Sequence, residues 1–205
     1  MPTTATPSAY RLSLTPDLIA FTFDGSVEID VETSAATDVL ILNAAELDID
    51  AASVSTESQD IPVEISLDAE AERLTLQLSE PLPVGTATVS LSFSGVLNDQ
   101  LRGFYRSTYR DGDDNEVTIA TTQFQSTDAR RCFPCWDEPA YKATFEVELI
   151  VDPAHLAISN TEPVTESMTD DGLRRRVRFA PTMIMSTYLV AFVVGPLEAT
   201  TNATR

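Results

Sequence analysis

The feature that most constrains this 205-residue chain is a period-two alternation of apolar and polar residues, repeated along its length. Val27, Ile29 and Val31 alternate with Glu28, Asp30 and Glu32, and Leu74, Leu76 and Leu78 with Thr75 and Gln77. Val89, Leu91 and Phe93 alternate with serines, Val147 and Leu149 with Glu146 and Glu148, and Val177 and Phe179 with Arg176 and Arg178. Successive side chains on a strand point to opposite faces, so each run carries one apolar and one wet face. Antiparallel sheets with one solvated side are built from such runs. No stretch of ten residues shows a 3.6-residue period; a single helical turn after Pro139 is the most the pattern allows. Turn chemistry separates the runs, as in "FDGS", "PLPVG", "RDGDDNE" and "TDDGL". The Asp111-Gly112 and Asp171-Gly172 steps predict hairpin tips, because glycine takes positive φ freely. About a dozen short strands result. They predict an all-β fold of β-sandwich type, with a saddle-like arrangement of antiparallel sheets. Residues 1–198 read as one domain. The closing "PLEATTNATR" loses the period, so 199–205 read as the start of a connection.

Charge narrows the function classes. The net charge is −19. Residues 1–100 hold seventeen Asp and Glu against two arginines, whereas the remainder holds fifteen against eleven basic residues. Such a surface repels nucleic acid and anionic membrane, so neither is an expected partner. No apolar run reaches 18 residues, so no transmembrane helix is expected. The opening residues lack the basic and apolar regions of a secretory signal. Two cysteines three apart do not form a secreted disulfide framework. Cytoplasmic residence is the simplest expectation.

One segment departs from the pattern: "TTQFQSTDARRCFPCWDEP", Thr121 to Pro139. It packs two arginines, both cysteines, the single tryptophan and an Asp-Glu pair into nineteen residues. Cys132 and Cys135 have the spacing of a zinc knuckle or a redox pair. A structural zinc site needs about four ligands, and a second pair is missing. A redox C-x-x-C sits at a helix start within a βαβ unit, which nothing here suggests. Two half-buried thiols packing a turn is the better reading. The single histidine, His155, is expected at a strand start, in a surface or capping role. Arg130, Arg131, Asp137 and Glu138 are expected to form ion pairs in a loop stiffened by Pro134 and Pro139. Arg174, Arg175 and Arg176 are too few for a nucleic-acid patch and are expected to neutralise neighbouring carboxylates or to face another domain. Residue chemistry alone thus describes a β-rich module with no catalytic centre and no metal ligands of its own. A non-catalytic β-sandwich that binds a protein partner through its acidic face or the Arg174–Arg176 strand fits that description.

The same segment, together with "YRLSLTPDLIAFTFDGSVEIDVET", "LRGFYRSTY", "HLAISNTEPV" and "TMIMSTYLVAFVVGPLE", resembles in order the N-terminal domain of the M1 family of zinc aminopeptidases. The likeness is to the puromycin-sensitive aminopeptidase and aminopeptidase N type. The resemblance implies a β domain that precedes a thermolysin-like catalytic domain, in an enzyme that removes single residues from peptide N-termini. It places the Zn2+ ligands and the catalytic residues in that following domain, none of them in this chain. It implies that the Thr121–Pro139 segment packs against the catalytic domain. It further implies that Gln123 lines the pocket for the substrate's first side chain, and that Gln125 occupies the position where many members carry a glutamate that pairs with the substrate's α-ammonium. A glutamine there keeps an acceptor but loses the ion pair.

Overall fold

The structure, a computed structural model, describes residues 1–199. In chain order the strands are β1 (Ala5–Asp17), β2 (Thr22–Thr33), β3 (Thr37–Asn43), β4 (Leu47–Ser55), β5 (Asp60–Ile61), β6 (Val63–Asp68), β7 (Arg73–Leu82), β8 (Gly85–Val96), β9 (Gly103–Arg110), β10 (Glu116–Gln123), β11 (Lys142–Val151), β12 (Leu156–Ser159), β13 (Pro163–Met168), β14 (Arg175–Phe179), β15 (Met185–Ser186) and β16 (Phe192–Gly195). Single turns of 3-10 helix occur at Ala129–Arg131 and Thr187–Leu189. The fold is all-β, as the alternation predicts. The helical turn expected after Pro139 is instead a tight turn, closed by the Tyr141 N–H donating to the Glu138 carbonyl at 3.0 Å. Sixteen strands are described, more than the dozen expected; β5 and β15 have two residues each, too few to leave a periodic trace.

Three sheets carry the strands. The largest runs β13-β14-β11-β1-β2-β8-β4-β5, with β15 also paired to β11; a second runs β12-β16-β10-β9; a third runs β3-β7-β6. The large sheet is mixed where sequence alternation suggested antiparallel pairing throughout. β1 and β11 run parallel, from Ala9 opposite Thr144 to Leu14 opposite Leu149. A parallel pair needs a long crossover, and here the chain from β2 through β10 provides it.

The apolar sides of the alternating runs meet in one core. Val27, Ile29, Val31, Leu74, Leu76 and Val89 are each 4 % exposed or less, as the alternation requires. Two cross-strand contacts fix the β2–β8 pairing. Gly25 lies opposite Phe93, and Phe23 opposite Gly95. A Cβ at Gly25 would fall 2.4 Å from the Phe93 ring, and one at Gly95 2.5 Å from the Phe23 ring. Each ring therefore covers the glycine of the neighbouring strand, where any side chain would displace it.

The wet side of the large sheet carries paired charges. The Arg11 Nε lies 2.9 Å from Glu28 and its Nη1 2.7 Å from Asp30. Arg176 and Arg178 reach Glu148 and Glu146 at 3.4 Å; Arg175, on the opposite face in phase with Val177, reaches Glu166 at 2.7 Å. The neutralising role expected of the arginine run is thus seen for Arg175 and Arg176, while Arg174 donates to the Pro16 carbonyl at 3.2 Å. His155 precedes β12, as expected, with its N–H donating to the Asp152 carbonyl at 2.9 Å. Among the described residues no helix is long and apolar enough to cross a membrane. Residues 196–199 form no strand or helix; the rest of the expected connection, 200–205, lies outside the described residues.

Candidate functional site

The Thr121–Pro139 segment begins as the end of β10 and leaves the sheet at Gln123, which pairs with Gly103 at the start of β9. Phe124 turns inward and is 2 % exposed, whereas Gln123 and Gln125 are both exposed. The Gln123 amide approaches the Gln125 carbonyl at 3.4 Å, the one contact joining them. The Gln125–Ser126 peptide is cis. The Asp128 N–H donates to the Phe124 carbonyl at 2.9 Å and closes the loop on itself. The structure therefore brings both glutamines onto one exposed loop, with their side-chain amides unburied.

The remainder of the segment is the support. Trp136, Phe133, Cys132 and Cys135 are at most 1 % exposed. Both thiols are free, and burial pushes both well above the usual cysteine value. They are core groups, more fully enclosed than the half-buried thiols the sequence suggested. An uncharged, inaccessible thiol is a poor nucleophile and metal ligand. Among the described residues no group of three or more His, Cys, Asp or Glu is placed to hold a metal ion. Backbone bonds stitch the segment to β3. The Asn43 N–H donates to the Cys135 carbonyl at 2.7 Å, the Cys135 N–H returns to Asn43 at 3.0 Å, and the Asp137 N–H donates to the Asn43 side-chain oxygen at 3.2 Å. The Trp136 N–H donates to the buried Tyr10 hydroxyl at 3.1 Å.

Two arginines complete the anchorage. The Arg130 Nε reaches Asp137 at 3.0 Å and its Nη1 reaches Glu72 at 3.0 Å. Arg131 reaches Glu46 at 2.6 Å, Asp128 at 2.9 Å and Glu72 as well. The arginine side chains are only 12 % and 11 % exposed, and the Arg130–Asp137 pair is enclosed on both sides, whereas Glu46 is 51 % exposed. Burial works against the Arg131 charge, but the Asp128 hydrogen bond and the Glu46 and Glu72 carboxylates outweigh it and raise its pKa. At Asp137 burial dominates: it lifts the carboxyl above its usual range, with Arg130 opposing. The arginines are thus satisfied inside this chain. The ion pairs expected within the loop are seen for Arg130 with Asp137, and the turns before β4 and β7 add Glu46 and Glu72 as further partners.

Those partners left little trace in the sequence. Glu46 and Glu72 are two of many surface glutamates by composition, yet both adopt left-handed backbone (φ 58° and 52°), an arrangement usually left to glycine or asparagine. Gly103 (φ +66°) sits where a Cβ would lie 2.8 Å from the Arg131 Cβ. Only glycine lets Arg131 pass that close to the start of β9, opposite Gln123.

Gln123 also stands on one face of the β12-β16-β10-β9 sheet. Directly paired residues share a face. The register places Tyr105, Thr121, Val193 and Ile158 in one row, and Leu156 beside Gly195 in the next. Ser107 pairs with Ile119 and Tyr109 with Val117 on the same face. The opposite face is core: Phe104, Ala120 and Val194 are at most 1 % exposed.

Comparison with known proteins covers nearly the whole chain. Residues 6–189 match the family model described as the Peptidase M1 N-terminal domain. The chain is similar to Puromycin-sensitive aminopeptidase of Caenorhabditis elegans, 44 % identical over 97 % of this chain and 21 % of the relative. It is similar to Aminopeptidase M1 of Arabidopsis thaliana, 46 % identical over 95 % of this chain and 22 % of the relative. It is similar to "Aminopeptidase 2, mitochondrial" of Saccharomyces cerevisiae, 36 % identical over 97 % of this chain and 21 % of the relative. The chain spans about a fifth of the length of these curated relatives.

Proposed function

Because this chain belongs to the M1 peptidase N-terminal domain family, we propose that it is the substrate-positioning and structural domain of a zinc aminopeptidase, acting on the N-terminus of a peptide held by a catalytic domain. The observation that carries this reading is the Gln123–Gln125 loop: two exposed side-chain amides on a backbone anchored by buried ion pairs. A binding group is worth most when its position is fixed beforehand. The Gln123 amide lines the pocket for the first side chain, and the Gln125 oxygen accepts from the substrate ammonium. The catalytic domain packs on the exposed part of the Thr121–Pro139 segment.

The residues of this chain do not fit the zinc that the family uses, since no ligand group is assembled among those described. No hydrolytic step is assigned to its own side chains. What they do is bind, orient and exclude water beside a reaction run elsewhere. The free, buried thiols suit a reducing compartment, and we place the protein in the cytoplasm.

The test replaces the matched region of the Caenorhabditis elegans relative with this chain and measures peptide hydrolysis. Gln125→Ala should raise KM for substrates with a free amine, and Gln125→Glu should lower it by restoring the ion pair. Gln123→Ala should alter the ranking of substrates by first side chain. Unchanged KM and ranking in all three variants of an active chimera would overturn the substrate-contact reading. The isolated 205-residue chain, assayed with aminoacyl amides and added zinc, should hydrolyse nothing; turnover that survives repurification would place a catalytic centre here after all.

A further inference from the structure

We propose that the cleft between the turns at one end of the large sheet binds a free α-amino acid with an aliphatic side chain. The binding is argued from the chemistry of the cleft alone. Its link to the proposed function, that such molecules are what an aminopeptidase releases, rests on that reading.

Three connections build the cleft: the β1–β2 turn, the β11–β12 loop and the tip of the β13–β14 hairpin. Their strands are near neighbours, in the order β13-β14-β11-β1-β2. The cavity is about 310 Å3, at the small end of the roughly 300–1,000 Å3 usual for ligand sites. That volume suits a small molecule.

Arg174 supplies a cation. Arg175 and Arg176 beside it, and Arg11 and Arg178 on the same sheet, each reach a carboxylate. Arg174 donates through Nη1 to the Pro16 carbonyl at 3.2 Å and, among the described residues, pairs with no carboxylate. In a chain with 32 acidic residues, a guanidinium without such a partner is free to take one from a ligand. Its planar fork matches a carboxylate.

Asp17 and Asp152 line the same cleft and supply the opposite sign. The Asp17 Oδ1 accepts the Ile19 and Ala20 N–H groups at 2.8 and 2.9 Å, and the Asp152 Oδ1 accepts the Ala154 N–H at 2.8 Å. These turns fix both carboxyl groups through one oxygen and leave the other able to accept from an ammonium, which has three donors to place. A simple anion meets the repulsion of the two aspartates, and a simple cation that of Arg174. A zwitterion satisfies both signs. Aliphatic side chains make up the rest of the wall: Ile19 is 92 % and Leu173 71 % exposed, and Leu18 is half-buried. A ligand with an apolar side chain removes that surface from water.

His155 lines the cleft and is the single histidine of the chain, so its imidazole proton resonances report on the site without overlap. The chain is titrated with L-leucine at constant pH, because imidazole resonances also follow protonation. We expect a saturable shift of the His155 resonances. Leucinamide lacks the carboxylate, N-acetyl-leucine lacks the ammonium and glycine lacks the side chain; each should bind at least an order of magnitude more weakly. Arg174→Met should abolish the leucine response, and Leu173→Ser, at an exposed hairpin tip, should weaken it severalfold. The ligand series is read on the parent chain, so the test stands even where a variant fails to fold. No saturable shift with leucine overturns the inference. An equal response to leucinamide or N-acetyl-leucine also overturns it, since the cleft then senses one charge only. A leucine response that survives Arg174→Met places the ligand elsewhere and overturns it equally. Silence toward leucine, in a chain whose chimera still responds at Gln125, rejects this inference alone. Leucine bound as expected, with no effect at Gln123 or Gln125, supports it and rejects the substrate contact alone.

Discussion

Asp137 shows how the support under the loop is balanced. It is 2 % exposed and serves Arg130 through both its side-chain Nε and its backbone N–H, at 3.0 and 3.3 Å. Removing one member of a buried pair strands the other charge, so Asp137→Ala should cost about 3–5 kcal/mol in urea unfolding. Asp137→Asn keeps an acceptor and should cost clearly less; equal losses would mean packing, not pairing, dominates. Of the residues around the loop, Gln123 and Gln125 could be singled out as candidates because a motif fixed their place in the chain. Glu46, Glu72 and Asn43 were not. They meet Arg130, Arg131 and Cys135 through contacts between residues tens of positions apart, and nothing in their neighbours distinguishes them from other glutamates or asparagines. The cysteines attract attention by spacing, yet burial makes them poor nucleophiles.

At the scale of strands, alternation was the reliable signal because the period of two survives whatever the strand packs against. It located β2, β7, β8, β11 and β14 and their buried faces. It could not reveal that β1 and β11 run parallel, since direction is set by the path of the connection and not by the pattern within either strand. Nor could it reveal the Gly25–Phe93 and Phe23–Gly95 pairs, which depend on register. Gly25→Ala should displace the Phe93 ring and cost about 1–3 kcal/mol, as expected of overpacking. Gly112→Ala, where a Cβ would meet nothing within 4 Å, is the comparison and should be close to neutral. A neutral Gly25→Ala would show that the ring moves aside freely.

The molecule as a whole is a polyanion, with −19 charges on 205 residues. Self-repulsion opposes the compact state, and salt relieves it by shortening the Debye length from ~30 Å at 0.01 M to ~3 Å at 1 M. The Tm should therefore rise with NaCl over that range; a flat or falling Tm would mean that the paired ions of the large sheet outweigh the net repulsion. Acid acts through particular groups. The Arg11 hydrogen bond, chiefly, holds Asp30 below the usual carboxylate value, and backbone N–H groups do the same for Asp17. A carboxyl depressed on folding contributes stability that is present above its unfolded value, near pH ~4, and lost as pH falls through the folded one. Burial shifts Asp137 the other way, so its contribution is lost as pH rises through its folded value. Asp30→Asn should accordingly destabilise at pH 7 and become indistinguishable from the parent in acid, a difference that pH-dependent urea titration reads directly.

The sequence by itself determined the all-β class, the buried faces and the family, because each of these is written locally, in period or ordered motif. Tertiary structure alone decided the parallel β1–β11 pairing, the left-handed glutamates that hold Arg130 and Arg131, and the sheet face that carries Gln123. Those features arise when distant segments are brought together. Their energies lie in pairings between residues that are far apart in the chain, and no local pattern encodes such a pairing.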